Sequence, residues 1–167
     1  MTIDEIAEKI DKYTYYCSIL FETCISLEIS LDSSPLYNFR DALAHYRILY
    51  EATDPNIKLS QETSIMEHLN RGLKDGCYFI LLILKIGTHY ELKKMQKNSP
   101  ERARKLRAVL HKYKSLELEL RRPEMINSNK IIDCINKLGP LITETNILFQ
   151  QYGMEWNFSK YEKEHVI

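Results

Sequence analysis

Apolar residues recur every three or four positions along most of this 167-residue chain, a period typical of amphipathic α-helices. No segment shows the alternation of a β-strand bounded by hairpin turns. The pattern predicts five helices, at about residues 3–31, 35–53, 60–96, 100–122 and 128–152, the third beginning at Ser60 or Thr63. Long helices with short connections indicate an all-α fold, an up-and-down helical bundle of about five helices.

Serine, glycine and proline mark the predicted helix boundaries. Ser34-Pro35 and Ser99-Pro100 each place a capping residue before a proline, which favours the first position of a helix. Gly139-Pro140 predicts a bend within the fifth helix. These boundaries predict one bundle domain over residues 1–152, followed by a C-terminal tail or short docking helix over residues 153–167.

The second predicted helix has two contrasting faces. One face is strongly apolar and is predicted to face the core; it carries Leu36, Phe39, Leu43, Tyr46 and Tyr50. The opposite face has small and apolar side chains and few of the Lys and Glu residues of a solvated surface; it carries Asn38, Ala42, Leu49 and Ala52. We therefore expect a second contact surface there, for another helix or a partner subunit.

Composition limits the possible classes of function. The chain has 23 basic and 23 acidic residues, a balance that excludes nucleic-acid binding spread over the whole surface. The four cysteines form neither a CxxC pair nor a zinc-type cluster, and the N-terminus does not resemble a targeting signal. The longest apolar run has eight residues, too few to cross a bilayer. We expect a reduced cytoplasmic protein with no membrane association.

The neutral total hides an uneven distribution of charge along the chain. Residues 1–84 carry 13 acidic and 7 basic groups, residues 85–122 carry 12 basic and 4 acidic groups, and residues 123–167 carry 4 basic and 6 acidic groups. The basic stretch is either the solvated face of a helix pair or a track for RNA phosphates. The residues predicted for that track are Lys93, Lys94, Lys97, Arg102, Arg104 and Arg107.

The candidate chemistry lies on the second and third helices. Asp41 and His45 are four residues apart, so the carboxylate can orient the imidazole ring, and Arg40 precedes them directly. An antiparallel hairpin of the second and third helices would place His45 beside about Glu67 and Asp41 beside about Arg71. His68 and Arg71 would then lie at the height of the Asp41–His45 pair. A helix-surface pair or an interface hydrogen bond explains the same residues without catalysis. Metal-binding and nucleotide-binding motifs are absent, so we predict no metal and no cofactor.

The segment from Arg40 to His45 resembles the motif of the HEPN superfamily of helical-bundle proteins, which has an Arg, a polar residue and a His. The surrounding RDALAHY, with HLNRGLKD at residues 68–75, is also similar to uncharacterised bacterial helical proteins. The resemblance covers residues 36–85 and implies a four- or five-helix bundle that forms a homodimer and cleaves RNA without metal. Arg40 would then contact phosphate, His45 would transfer protons, and Asp41 would be the orienting residue.

Two functions remain open. One is a HEPN-like protein that binds RNA or acts on it as a metal-independent endoribonuclease, in a toxin–antitoxin or antiviral defence system. The alternative is a non-catalytic interaction module, such as an antitoxin, immunity or adaptor subunit, that binds a protein partner. A cleft that holds Arg40 and His45 beside the basic stretch would favour the first.

Overall fold

The computed structural model describes residues 2–30, 33–95, 99–122 and 128–154. Within these ranges α-helix is the only regular element, which confirms the predicted all-α bundle. None of the helices in these ranges has the length and apolar content needed to span a membrane. The helices are α1 (Ile3–Ser26), α2 (Ser34–Glu51), α3 (Pro55–Met95), α4 (Pro100–Leu120) and α5 (Ser128–Gln151).

Two helix boundaries differ from the prediction because of local backbone chemistry. α1 ends at Ser26, earlier than expected, and Glu28 then adopts a left-handed conformation with φ of 53°, which a helix cannot continue. α3 begins at Pro55, also earlier than expected. The Asp54 carboxylate accepts the backbone N–H of Asn56 (2.8 Å) and so caps the helix.

α3 is the central element of the fold. Its 41 residues span about 62 Å, and all four other helices pack against it. α2 runs antiparallel to its N-terminal half, since Ser34 Oγ donates to Asp75 Oδ2 (2.9 Å) at one end and His45 lies 2.7 Å from Gln61 at the other. α4 packs on the C-terminal half, where Lys85 Nζ lies 2.7 Å from Glu117 Oε2. The predicted hairpin between the second and third helices is confirmed.

The orientation of α2 differs from the prediction. The predicted core face is turned outward: Leu36 is 55 %, Leu43 42 % and Tyr50 72 % exposed, while Phe39 and Tyr46 are half-buried. Small side chains let two helices approach closely, and the face that packs on α3 is accordingly the one with smaller residues. Its buried members are Pro35, Asn38, Ala42 and Leu49.

Two glycines on α3 make this close approach possible. A methyl group at Gly72 would overlap the Tyr13 hydroxyl and lie 3.1 Å from Asn38 Cβ, and one at Gly76 would lie 3.0 Å from Pro35 Cγ. The Tyr13 hydroxyl donates to the carbonyl oxygen of Pro35 (2.6 Å). Helices α1, α2 and α3 therefore meet where α3 has no room for a side chain.

An apolar core joins the C-terminal half of α3 to α4 and α5. Leu106 and Phe149 are almost fully buried in it, and the hydroxyls of Tyr113 and Thr145 share a buried hydrogen bond of 2.6 Å. α5 continues unbroken through Pro140, which is exposed. Of the predicted tail, residues 155–167 lie outside the described residues, and residues 153–154 follow α5 directly.

Candidate functional site

A group of polar side chains lies along the seam between α2 and α3. The imidazole rings of His45 and His68 stack with their centroids 5.3 Å apart and their planes inclined by 24°. His45 Nδ1 lies 2.7 Å from Gln61 Oε1, and His68 Nδ1 lies 3.3 Å from Asn38 Oδ1. Both rings are half-buried. We call these four side chains, together with Asp41, the histidine cluster.

The two amide groups determine which nitrogen of each ring carries a proton. Asn38 Nδ2 donates to the carbonyl oxygen of Ser34 (3.0 Å), so the Asn38 oxygen faces His68. An amide oxygen only accepts, and each imidazole Nδ1 therefore donates. In the neutral rings the lone pair then lies on Nε2. Neither Nε2 bonds to any residue that the structure describes.

The environment of His68 favours its neutral form. Burial, followed by the charge of His45, lowers the pKa of His68 below its ordinary value, because both effects disfavour the imidazolium. The charge of Asp41 opposes this change, and that of Arg71 adds to it. His68 is therefore mainly neutral at pH 7 and able to accept a proton.

Arg40 and Asp41 lie at the solvent edge of the histidine cluster. Arg40 Nε and Nη2 both donate to Asp41 Oδ1 (2.9 and 2.7 Å), and these bonds hold the pKa of the Asp41 carboxyl below its ordinary value. The guanidinium also lies 5.5 Å from the centre of the Tyr37 ring. Because the Arg40 side chain is 71 % exposed, an anion can reach it directly from solvent.

The structure brings some of the predicted site residues together and leaves one at the edge. His45, His68 and Asp41 share the histidine cluster, and the predicted register was close, since it set His45 beside Glu67. Arg71 is exposed and acts on the cluster only through its charge, with no hydrogen bond to a described residue.

The residues predicted to contact RNA phosphates lie far from the histidine cluster. Lys93 is 25 residues beyond His68 on α3, a distance of about 38 Å along the helix. Lys94 is paired within its own helix (3.1 Å), and Arg102 lies 5.0 Å from the centre of a tyrosine ring. Within one chain, the described basic residues and the histidine cluster therefore do not share a cleft. The other predicted residues are Arg104 and Arg107, both exposed, and Lys97, which lies outside the described residues.

Sequence reasoning missed the two amides that position the histidines. Asn38 was visible as a polar residue on the face of α2 that also carries Ala42, but nothing indicated that it meets an imidazole. Gln61 fell at the predicted start of the third helix, and only the earlier start at Pro55 places it one turn inside the seam. A search for amides on the small face of α2 would have found Asn38 alone.

Comparisons of the sequence with protein-family models and with curated proteins, and of the fold with solved structures, find no match. In the described parts of the chain, no three His, Cys, Asp or Glu side chains are grouped so that they could hold a metal ion. The histidine cluster offers two adjacent imidazoles held by amides, with a guanidinium at its edge. This set can move protons and neutralise a bound anion.

Proposed function

We propose that the protein is a HEPN-like dimer that binds and cleaves RNA as a metal-independent endoribonuclease. The observation that carries the proposal is the stacked pair of His45 and His68, whose Nε2 atoms bond to no described residue, with the Arg40–Asp41 pair at the edge of the cluster. Cleavage of RNA through its own 2′-oxygen needs a base, an acid and a cation at the phosphate. These three side chains can supply one group each.

We assign the base to His68, whose pKa is lowered, and the acid to His45. Neutral His68 removes the proton of the ribose 2′-hydroxyl. The 2′-oxygen then attacks phosphorus, the bond to the 5′-oxygen of the next nucleotide breaks, and a 2′,3′-cyclic phosphate forms. His45 gives a proton to the leaving 5′-oxygen. Arg40 binds the non-bridging phosphate oxygens from the solvent side, and Asp41 holds the guanidinium in place until the phosphate arrives.

Cleavage of single-stranded RNA in the presence of EDTA tests this assignment. The wild type should produce 2′,3′-cyclic phosphate ends, and His45→Ala and His68→Ala should each lower the rate at least 100-fold, within the range of ~10²–10⁴ for general acid–base catalysis. His111→Ala is the matched control, since His111 is exposed on α4, and should retain the wild-type rate. Absence of cleavage by the wild type, or undiminished cleavage by His45→Ala, would contradict the proposal.

The proposed homodimer forms through the outward face of α2. An 18-residue helix with this much exposed apolar surface is typical of a contact with another chain. Arg40 projects from the middle of this face, so a second copy would bring two Arg40 side chains together. Five large side chains on this face are between 42 % and 72 % exposed: Leu36, Tyr37, Leu43, Ile48 and Tyr50.

Light scattering after size-exclusion chromatography tests the dimer. The wild type should have twice the chain mass of 19.8 kDa, and Leu43→Asp should be monomeric. Leu118→Asp is the matched control, because Leu118 is 64 % exposed on α4, and should remain dimeric. A monomeric wild type at micromolar concentrations would rule out this part of the proposal.

The outward face of α2 also supports the second candidate function, a non-catalytic module that binds a different protein. In that case the wild type would leave RNA intact and would be monomeric alone. The Leu43→Asp substitution would then abolish binding to the protein partner, and His45→Ala would leave that binding unchanged.

We also propose that the protein works in a reducing compartment such as the cytoplasm. All four cysteines are free and buried, and burial raises the pKa of the Cys17 thiol to about 11. Such thiols are unreactive, and free thiols persist where disulfides are kept reduced.

A further inference from the structure

A basic groove lies between the C-terminal half of α3 and the facing part of α4. Its volume is about 270 Å³, slightly below the usual range of small-molecule sites, ~300–1,000 Å³. α3 contributes Lys85, His89 and Lys93, which are spaced four residues apart and therefore lie along one side of the helix. The opposite wall, on α4, carries Leu110 and Lys114. We call this feature the α3–α4 groove.

The charge of the α3–α4 groove is only partly neutralised. Glu117 accepts from Lys85 (2.7 Å) and from Arg121 (2.7 Å) at one end. Lys93 and Lys114 form no ion pair with any residue that the structure describes, and both are exposed. Two lysines from different helices thus face one concave site, an arrangement that favours an anion.

The remaining walls of the α3–α4 groove are apolar and aromatic. The side chain of Leu110 is buried, and the half-buried Tyr90 ring has a Lys94 ammonium 4.2 Å from its centre. A ligand that fits must therefore combine a negative charge with a flat apolar group. A nucleotide has both, since a phosphate suits the lysines and a base can stack on an aromatic ring.

We propose that the α3–α4 groove binds one nucleotide unit of single-stranded RNA, with its phosphate on Lys93 and Lys114 and its base against Tyr90 and Leu110. The choice of RNA as the ligand rests on the proposed function, but the α3–α4 groove is separate from the histidine cluster. It also differs from the predicted phosphate track: of the six residues in that track, only Lys93 lines it.

Fluorescence anisotropy with a labelled eight-nucleotide oligouridine carrying 2′-O-methyl groups tests the proposal. This probe lacks the attacking hydroxyl, so binding is measured even if the protein cleaves RNA. Lys93→Ala/Lys114→Ala should raise the Kd at least tenfold and reduce the slope of log K against log salt by about 0.7, because the two lysines together neutralise one phosphate of the single strand. Tyr90→Leu should raise the Kd at least fivefold and leave that slope unchanged.

The matched control is Lys9→Ala/Lys130→Ala, which removes the same charge from α1 and α5, and it should bind within twofold of the wild type. Equal weakening in this control, unchanged binding by Lys93→Ala/Lys114→Ala, or no binding by the wild type would overturn the proposal. Displacement of the probe by polyglutamate as effective as that by unlabelled RNA would also overturn it and would assign the α3–α4 groove to an acidic polypeptide.

The proposal and the cleavage function fail in distinguishable ways. If the α3–α4 groove binds the probe as expected but the wild type does not cleave RNA, only the assignment of the histidine cluster is wrong. If RNA is cleaved and the substitutions at Lys93 and Lys114 have no effect on probe binding, only the proposal for the groove is wrong.

Discussion

The two helices that flank α3, α2 on its N-terminal half and α4 on its C-terminal half, pack on it by different means. Along the N-terminal half, α2 approaches through small residues, and the polar contacts between the two helices are hydrogen bonds such as His45–Gln61 and Ser34–Asp75. Along the C-terminal half, apolar side chains fill the core, and ion pairs such as Lys85–Glu117 join neighbouring helices. Within the described residues no ion pair joins α2 to α3.

The solvent-exposed surfaces of α2 and α4 also differ in polarity. α2 exposes apolar side chains such as Leu43, whereas the exposed side of α4 is mainly charged. A helix that packs polar groups against its own chain and exposes apolar groups to solvent is expected where a second protein surface covers those apolar groups. The comparison therefore locates the candidate chemistry and the exposed apolar face on α2, whereas apolar burial stabilises both halves, since the larger core cluster includes Ile65, Leu69 and Leu73 of the N-terminal half.

The largest effect on the free energy of unfolding should come from a substitution in the apolar core between α3, α4 and α5. Leu106 is completely buried, so Leu106→Ala removes apolar contacts and leaves a cavity, which should lower the free energy of unfolding by about 3 kcal/mol. Urea denaturation followed by circular dichroism measures this. Leu118→Ala, at an exposed position on the same helix, should change it by less than about 0.5 kcal/mol. Similar losses in the two variants would show that Leu106 does not lie in the core.

Adding a methyl group on the N-terminal half of α3 should have the next largest effect on the free energy of unfolding. Gly72→Ala forces Tyr13 and Asn38 away from α3 and should lower the free energy of unfolding by about 2 kcal/mol, as overpacking does. Gly139→Ala is the matched control in α5, where no atom of another helix lies within 4 Å of the added methyl. There the helix propensity of alanine is opposed by Pro140, which disfavours a helical residue with a Cβ directly before it, so the free energy of unfolding should change by less than about 1 kcal/mol. An equal loss in both variants would contradict the close packing of α2.

The ion pair that joins α3 to α4 should contribute less. Burial raises the pKa of Glu117, but the hydrogen bond and charge of Lys85 and the charge of Arg121 outweigh that effect, so its pKa is lowered. The ionised Glu117 carboxylate therefore stabilises the folded state. This contribution is present above the ordinary pKa of a glutamate and is lost as the pH falls through the lowered value. Glu117→Ala should cost about 1–2 kcal/mol at pH 7. Glu144→Ala, which breaks the exposed pair with Lys112, should cost under about 0.5 kcal/mol in the same urea titration.

The smallest effect concerns the histidine cluster. Because the pKa of His68 is lowered in the folded protein, the unfolded chain holds more protons below about pH 6.5, and stability should fall as the pH drops through that value. His68→Gln should flatten this part of the profile, and His111→Gln should leave it unchanged. A profile that His68→Gln does not alter would show that burial of His68 is not the cause of this pH dependence.

Much of the helical framework could be predicted because it depends on local signals. The Ser99-Pro100 pair and the apolar period placed α4 correctly. The orientation of α2 could not be predicted in this way. Counting apolar residues favoured the face with Leu43, whereas the packing depends on Gly72, which lies on another helix and lets Pro35 and Asn38 approach.

The candidate site, like the fold, was predictable where it depends on local signals and not where it depends on contacts between helices. His45 and His68 were placed near each other because a short turn fixes the register of an antiparallel helix pair. The hydrogen bond of His45 to Gln61 depends on the exact start of α3, and sequence patterns locate helix ends poorly. The separation of the basic residues from the histidine cluster depends on the 41-residue length of α3, which carries Lys93 far beyond His68.

The unbroken length of α3 also sets the size of RNA that one chain could hold at two points. His68 and Lys93 lie about 38 Å apart along one helix and within about 20° of each other around its axis. A stacked strand advances ~3.4 Å per nucleotide, so roughly eleven nucleotides reach from the first position to the second. Shorter RNAs would engage one position at a time, and affinity should rise steeply once the strand exceeds that length.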